Sequence, residues 1–233
     1  MDSIPMSPTS HPSGIRAVIC DVYGTLLNVG PPPVNGGQLW ESGCRALAGG
    51  WMPLDEYNAR CASLIETLND ERRVAGEPFP DVDWLALTRR LNPGQAECRV
   101  RQLSDLHAQC VRTCTAMPGA ISALEKLHAR GVLLGIASNA QDYTRGELQR
   151  AGIPLHLFDP ALCFLSGEHG FAKPSPRVFS FLNEQLAALG IAPRETLMIG
   201  DSAVNDIAPA AAAGWLTWQI GPRSWEELIQ QIL

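Results

Sequence analysis

Asp21, Ser138, Lys173, Asp201 and Asp206 each follow an apolar run or stand in the loop behind one, and together they could make a charge-balanced reaction centre. Carboxylates gathered in one place repel one another and resist desolvation. A cluster of Asp21, Asp201 and Asp206 therefore calls for a cation, and hard oxygen ligands of this kind suit Mg²⁺. A lysine beside them offsets further negative charge. A hydroxyl such as that of Ser138, with backbone amides, can hold the oxygens of a phosphoryl or other anionic group. With its charge offset in this way, the Asp21 carboxylate can attack an electrophile and form an acyl-type ester or an aspartyl-phosphate.

Taken singly, each residue has an ordinary alternative. Asp21 is a turn residue, Asp201-Ser202 opens a helix, and Lys173 is a solvated surface lysine. What favours the chemical reading is that they recur at successive strand ends. Apolar runs at residues 17–20, 132–137, 162–165, 196–199 and 216–220 have the length and character of buried parallel strands. Helical segments at 120–130, 143–151, 177–188 and 203–213 lie between the later runs and suit crossovers. Alternation of this kind predicts an α/β fold, a doubly wound, Rossmann-like parallel sheet, in which ligands bind beyond the carboxyl ends of the strands. Ser175-Pro176 supplies an N-cap with a first-turn proline, and Ser224 with Glu227 a capping box for the last helix.

The alternation fails between Asn28 and Met117. No convincing strand is evident there, and segments 38–47, 54–74, 82–91 and 95–116 read as helices separated by Pro and Gly. Ninety residues are too many for one crossover, so residues 28–117 are expected to form an α-helical cap inserted into a core of residues 15–27 and 118–233. The loops GPPPVNGG and AGEPFPD look like hinges or turns, and residues 1–14, rich in Pro, Ser and Gly, like a disordered tail without the apolar stretch of a signal peptide.

Composition narrows the function classes. The chain has 233 residues, is 45% hydrophobic and carries a formal net charge of −6. It can bury a sizeable core, and its charge argues against nucleic acid as a partner. No run of ~18 apolar residues exists to span a membrane. The seven cysteines are scattered, which suggests reduced thiols and a cytoplasmic location; Cys110 and Cys114, one helical turn apart, read as helix packing. No feature fixes an oligomeric state.

The residues Asp21-Val-Tyr-Gly-Thr25, Ser138-Asn139, Lys173-Pro-Ser-Pro and Gly200-Asp-Ser-Ala-Val-Asn-Asp206 resemble, in order, the four motifs of the haloacid dehalogenase superfamily of hydrolases. The resemblance covers nearly the whole chain after the tail, with the helical insertion matching that family's cap. It implies Asp21 as nucleophile and Lys173 and Ser138 as catalytic partners. It also implies substrate contacts from Tyr23, Thr25, Ser138, Asn139 and Lys173, and an Mg²⁺ site formed by Asp21, Asp201, Asp206 and the main-chain carbonyl of Tyr23. The substrate would be a small anionic molecule.

One position departs from the phosphatase pattern. Phosphatases of this superfamily carry a second Asp two positions after the nucleophile as general acid and base, where this chain has Tyr23. Tyrosine there resembles the 2-haloacid dehalogenase branch. The Asp201 and Asp206 motif instead resembles the Mg²⁺-dependent members, and Glu41 follows Leu39-Trp40 where the dehalogenases carry an arginine early in the cap; Arg45 is not at the matching position. The readings are thus a Mg²⁺-dependent phosphohydrolase acting on a small phosphorylated metabolite, a carbon–halogen hydrolase, and a weakly active binding protein of the same fold. Trp40, Trp51, Trp84 and Tyr57 are expected in the core of the helical insertion and Arg72-Arg73 on its solvated face; His107 and His169 are candidates for proton transfer.

Overall fold

The computed structural model describes residues 14–232, so the expected disorder of residues 1–14 lies almost wholly outside the described residues. Strand β1 (Ala17–Cys20) is buried at every position and runs between β4 (Leu133–Ser138) and β6 (Thr196–Gly200), parallel to both. With β5 (Phe158–Leu165) and β7 (Leu216–Gln219) the sheet has the order β5-β4-β1-β6-β7, parallel throughout. Alternate side chains of β1 serve opposite faces: Val18 and Cys20 join one core cluster, Ala17 and Ile19 another. Helices α5 (Ala120–Ala129), α6 (Thr144–Arg150) and α10 (Trp225–Ile232) cover the first face through Leu124, Leu127, Leu148, Trp225 and Leu228. On the second face lie α8 (Pro176–Ala188) and α9 (Ala208–Ala212), the former burying Val178, Phe179, Leu182 and Leu186.

Both expected caps are formed. Ser175 accepts from the Arg177 amide ahead of Pro176, and Ser224 and Glu227 exchange hydrogen bonds at 2.7 and 3.1 Å.

Four helices, α1 (Gly36–Ala48), α2 (Leu54–Val74), α3 (Trp84–Leu91) and α4 (Glu97–Val111), pack round a cluster of their own that contains Trp40, Tyr57, Trp84 and Leu103. Trp51 stands apart from it, 40% exposed beneath the Arg45 guanidinium. Two elements differ from the sequence reading. The last helix ends at Val111 because Arg112 is fully extended, and Thr113–Ala116 then forms strand β3, antiparallel to β2 (Leu27–Gly30). Neither strand shows a clean apolar alternation, since β3 is built from Thr, Cys and Ala and stays partly exposed. Cys110 and Cys114 consequently stand on different elements, one buried on α4 and one half-buried on β3. The stretch 203–213 is also not one helix: a π-helical turn, Ala203–Ile207, precedes α9, with Pro209 at the junction.

His107 lies inside the aromatic cluster, its ring centroid 5.1 to 5.7 Å from those of Trp84, Tyr57 and Trp40, with Nε2 2.7 Å from Asn58 Oδ1. Burial, helped by Arg112, pushes its pKa down to about 4. An unfolded chain takes up this proton near the ordinary histidine value of 6.5, so the folded state binds fewer protons between the two values. Stability from this residue is complete above the upper value and declines as pH falls towards the lower. The full cost is on the order of 3 kcal/mol. Urea unfolding at pH 7 and 4.5 should show the parent losing about 2 kcal/mol more than His107→Gln; equal losses would refute this account.

Candidate active site

Where β1 stops, the Asp21 amide extends the ladder by donating to Ile199 O at 2.8 Å, and the chain then turns so that Leu26 and Leu27 both donate back to Val22 O. Gly24 has φ 82°, and a Cβ on it would collide with the Asp201 carboxylate, so glycine is needed twice over at this position. The turn brings the ends of β1 and β6 close. One carboxylate oxygen from each of Asp21, Asp201 and Asp206 lies within 4.8 Å of the others.

Lys173 reaches into this group from the loop that follows β5 and the single helical turn α7 (Ser166–His169). Its Nζ donates to Asp21 Oδ1 at 2.7 Å and to Asp206 Oδ1 at 2.5 Å. Burial alone would lower its pKa, but Asp21 and Asp206 outweigh burial and raise it, so it is an ammonium. Asp206 Oδ2 also accepts from the Ser202 amide at 3.0 Å, and Ser202 Oγ accepts from the Asn205 amide at the start of the π turn. Burial, with Asp21 nearby, raises the carboxyl of Asp201; burial likewise raises that of Asp206, against the opposing pull of Lys173. Three acids facing one lysine leave an excess of negative charge, and a donor set made of oxygen alone suits a hard divalent cation.

A cavity of about 340 Å³ opens over these groups, lined also by Tyr23, Ser138 and Asn139. Ser138 Oγ is buried there without a hydrogen-bond partner among the described residues. Asn139 grips the Lys173 backbone twice, its Nδ2 donating to Lys173 O at 2.9 Å and its Oδ1 accepting from Lys173 N at 2.7 Å. Thr25, by contrast, is fully buried and does not line the cavity; its Oγ1 is unpartnered, and its carbonyl accepts from Trp225 Nε1.

Tyr23 borders the cavity, but its hydroxyl is engaged elsewhere. It donates to Glu147 Oε2 at 2.5 Å, meets Thr144 Oγ1 at 2.7 Å and accepts from Arg112 Nη2 at 2.8 Å. Arg112 also holds Glu147 through Nε and Nη2, and its guanidinium lies over the rings of Tyr23 and Tyr143. Burial drives the Tyr23 phenol far above its ordinary pKa despite Arg112. The sequence reading missed Arg112, Thr144 and Glu147. A sequence clue was available, since Glu147 is an acid one turn from Thr144 on the face of α6 that also carries Leu148.

Of the two loops read as hinges or turns, AGEPFPD packs against the core. In AGEPFPD the Asp81 amide donates to Gly170 O and Phe79 O accepts from the Ala172 amide, so this segment docks on the loop that leads to Lys173. The Asp81 carboxylate accepts from Ser166 Oγ and from Gln141 Nε2. Arg72 is not part of a solvated face, because it donates to Gly170 O at 3.0 Å, whereas Arg73 pairs with Asp70 on the surface. His169 stacks on Phe164, and neither it nor His107 lines the cavity. Among the described residues, no helix is long and apolar enough to cross a membrane.

A family model described as a haloacid dehalogenase-like hydrolase matches residues 15–214. Among curated relatives, phosphoserine phosphatase of Thermus thermophilus is 34% identical over 52% of this chain, which spans 47% of that relative's length. (S)-2-haloacid dehalogenase 4A of Burkholderia cepacia is 26% identical over 88% of this chain and 83% of its own. In fold, the chain is similar to a HAD phosphatase from Thermococcus onnurineus, with a TM-score of 0.57 and 22% identity over 93% of this chain and 97% of that one. A 2-haloacid dehalogenase from Pseudomonas syringae gives 0.59 and 22% over 91% and 90%.

Proposed function

This chain belongs to the haloacid dehalogenase-like hydrolases, and we propose that within that family it is a Mg²⁺-dependent phosphohydrolase acting on a small phosphorylated molecule, with Asp21 as nucleophile. The observation that carries this reading is the grouping of Asp21, Asp201 and Asp206 within 4.8 Å around the single ammonium of Lys173. The three carboxylates and the Tyr23 carbonyl would hold the ion. When bound, Mg²⁺ supplies charge neutralisation between the acids and an incoming phosphoryl group. Lys173 aims the Asp21 carboxylate by donating to it, Asn139 fixes the lysine's backbone, and the unpartnered Ser138 hydroxyl is free to donate to a phosphoryl oxygen.

A second reading, carbon–halogen hydrolysis, is favoured by Tyr23 in place of an acid, because halide leaves without a proton. The charge balance speaks against it. Among the described residues, Lys173 is the one cationic side chain lining the cavity, and Arg45 is engaged with Glu41 and Trp51, which leaves a haloacid carboxylate no arginine partner among them. Phosphate release with EDTA or Mg²⁺, measured beside chloride release from 2-chloropropionate, decides between them. Phosphate release that vanishes with EDTA and returns with Mg²⁺ is expected; metal-indifferent chloride release without phosphate release from any ester overturns the proposal.

A further inference from the structure

We propose that the site is built for phosphoryl groups carried on weakly basic oxygens, acyl phosphates foremost and aryl phosphates next, and not for ordinary alkyl phosphates. This rests on the phosphohydrolase reading above and adds the class of substrate.

Cleaving the phosphorus–oxygen bond sends an electron pair to the departing oxygen. An alkoxide, about as basic as hydroxide, needs a proton at that moment, whereas a carboxylate, with a conjugate acid near about 4, does not. Among the described residues, the cavity offers no donor for the purpose. Its titratable side chains are Asp21, Asp201, Asp206, Lys173 and Tyr23. The first three gather into the acidic cluster, and Lys173 Nζ is taken up by Asp21 and Asp206. Tyr23 is the sole remaining candidate, and its hydroxyl is saturated. Its proton goes to Glu147. Its oxygen accepts from Arg112 Nη2 and, since its one proton is already given to Glu147, from Thr144 Oγ1, which in turn accepts from the Gln141 amide. No side chain of α1 to α4 lines the cavity to supply the missing acid. An adjoining groove shares Asp201 with it and bears one further carboxylic acid, Glu226, which packs against Gly119.

The two half-reactions then share one chemistry. In the first, an Asp21 carboxylate oxygen attacks phosphorus and the substrate's acyl oxygen departs with the bonding pair as a carboxylate. The enzyme intermediate is itself an acyl phosphate. In the second, water attacks that phosphorus, the pair returns to Asp21 as its carboxylate, and both protons of the water leave on the dihydrogen phosphate. Neither half needs a proton from the protein.

The test compares kcat/KM with Mg²⁺ on acetyl phosphate, 4-nitrophenyl phosphate, phenyl phosphate and serine phosphate, with 2-chloropropionate as a separate arm. Acetyl phosphate is expected to exceed serine phosphate by about 10³-fold, with the aryl esters ordered between them by leaving-group acidity. Serine phosphate within tenfold of acetyl phosphate overturns the inference while leaving the phosphohydrolase reading intact. Chloride release with no phosphate from any of the four overturns that reading instead. Tyr23→Asp should raise serine phosphate turnover by about 10² to 10⁴ and narrow the gap; a folded variant without that gain also overturns the inference. Should Tyr23→Asp not fold, Tyr23→Phe serves. It should change acetyl and serine phosphate by the same factor, and a fall confined to serine phosphate would identify the phenol as the proton donor. Selective loss of serine phosphate turnover in Glu226→Gln would likewise assign the acid to the groove and refute the proposal.

Discussion

Asp21→Asn is expected to lower kcat by at least about 10⁴-fold, because a carboxamide cannot form the ester intermediate, and losing a nucleophile costs on the order of 10⁶ where it has been isolated in other hydrolases. Folding should survive. The carboxamide has the size of the acid it replaces, and Lys173 retains Asp206 as its partner at 2.5 Å. Removing one of three crowded acids also relieves repulsion. Thermal unfolding and turnover measured on the same preparation separate the two effects. A well-folded variant that kept a tenth of the parent's turnover would exclude Asp21 as the nucleophile. Beryllium fluoride gives a check independent of rate, since as a phosphoryl mimic it should be found on Asp21 in the parent and be absent from the variant.

Lys173→Met is expected to weaken the fold as well as the reaction. Asp21 and Asp206 are 6% and 1% exposed, and their shared counter-charge is 4% exposed. Breaking a buried ion pair by removing one partner costs about 3 to 5 kcal/mol, because the survivors stay desolvated and uncompensated. For a chain of this length that is a fall in Tm of roughly 6 to 20 °C in EDTA. Added Mg²⁺ should restore part of the loss by supplying the missing positive charge, and more in Lys173→Met than in the parent, whose lysine already meets part of the need. A variant as stable as the parent in EDTA would show that the acids do not depend on this lysine.

The sheet was legible in the sequence because parallel strands buried on both faces must be continuous apolar runs, and β1, β4 and β6 are such runs. Strand β5 was only half legible. Its first half includes Asp159 and Pro160, which an edge strand accommodates without losing a ladder bond. Asp21, Ser138, Asp201 and Asp206 could be found because strand ends in one open sheet converge, and convergence needs no knowledge of side-chain rotamers. The fate of the Tyr23 hydroxyl could not. It depends on Arg112 and Glu147, 89 and 124 positions away, whose meeting is decided by how α4 ends and how α6 packs. That the Thr25 side chain faces inward was hidden for a related reason: a motif gives position along the chain, while the tight turn after Val22 decides which side chains face the cavity and which do not.

The backbone pairing between Phe79 and Ala172 and between Asp81 and Gly170 places two amide hydrogens across the seam between the helical unit and the lysine-bearing loop. Both donors lose their acceptors whenever that seam parts, and neither does so through fraying of its own helix or strand. In deuterated solvent the two amides should therefore exchange together, at a rate set by the equilibrium between joined and parted states and not by local backbone motion. They would form a built-in clock for the parting of that seam, readable without substrate, metal or label. Slower exchange on adding a ligand would report, in free-energy units, how much more tightly that ligand is held by the joined form.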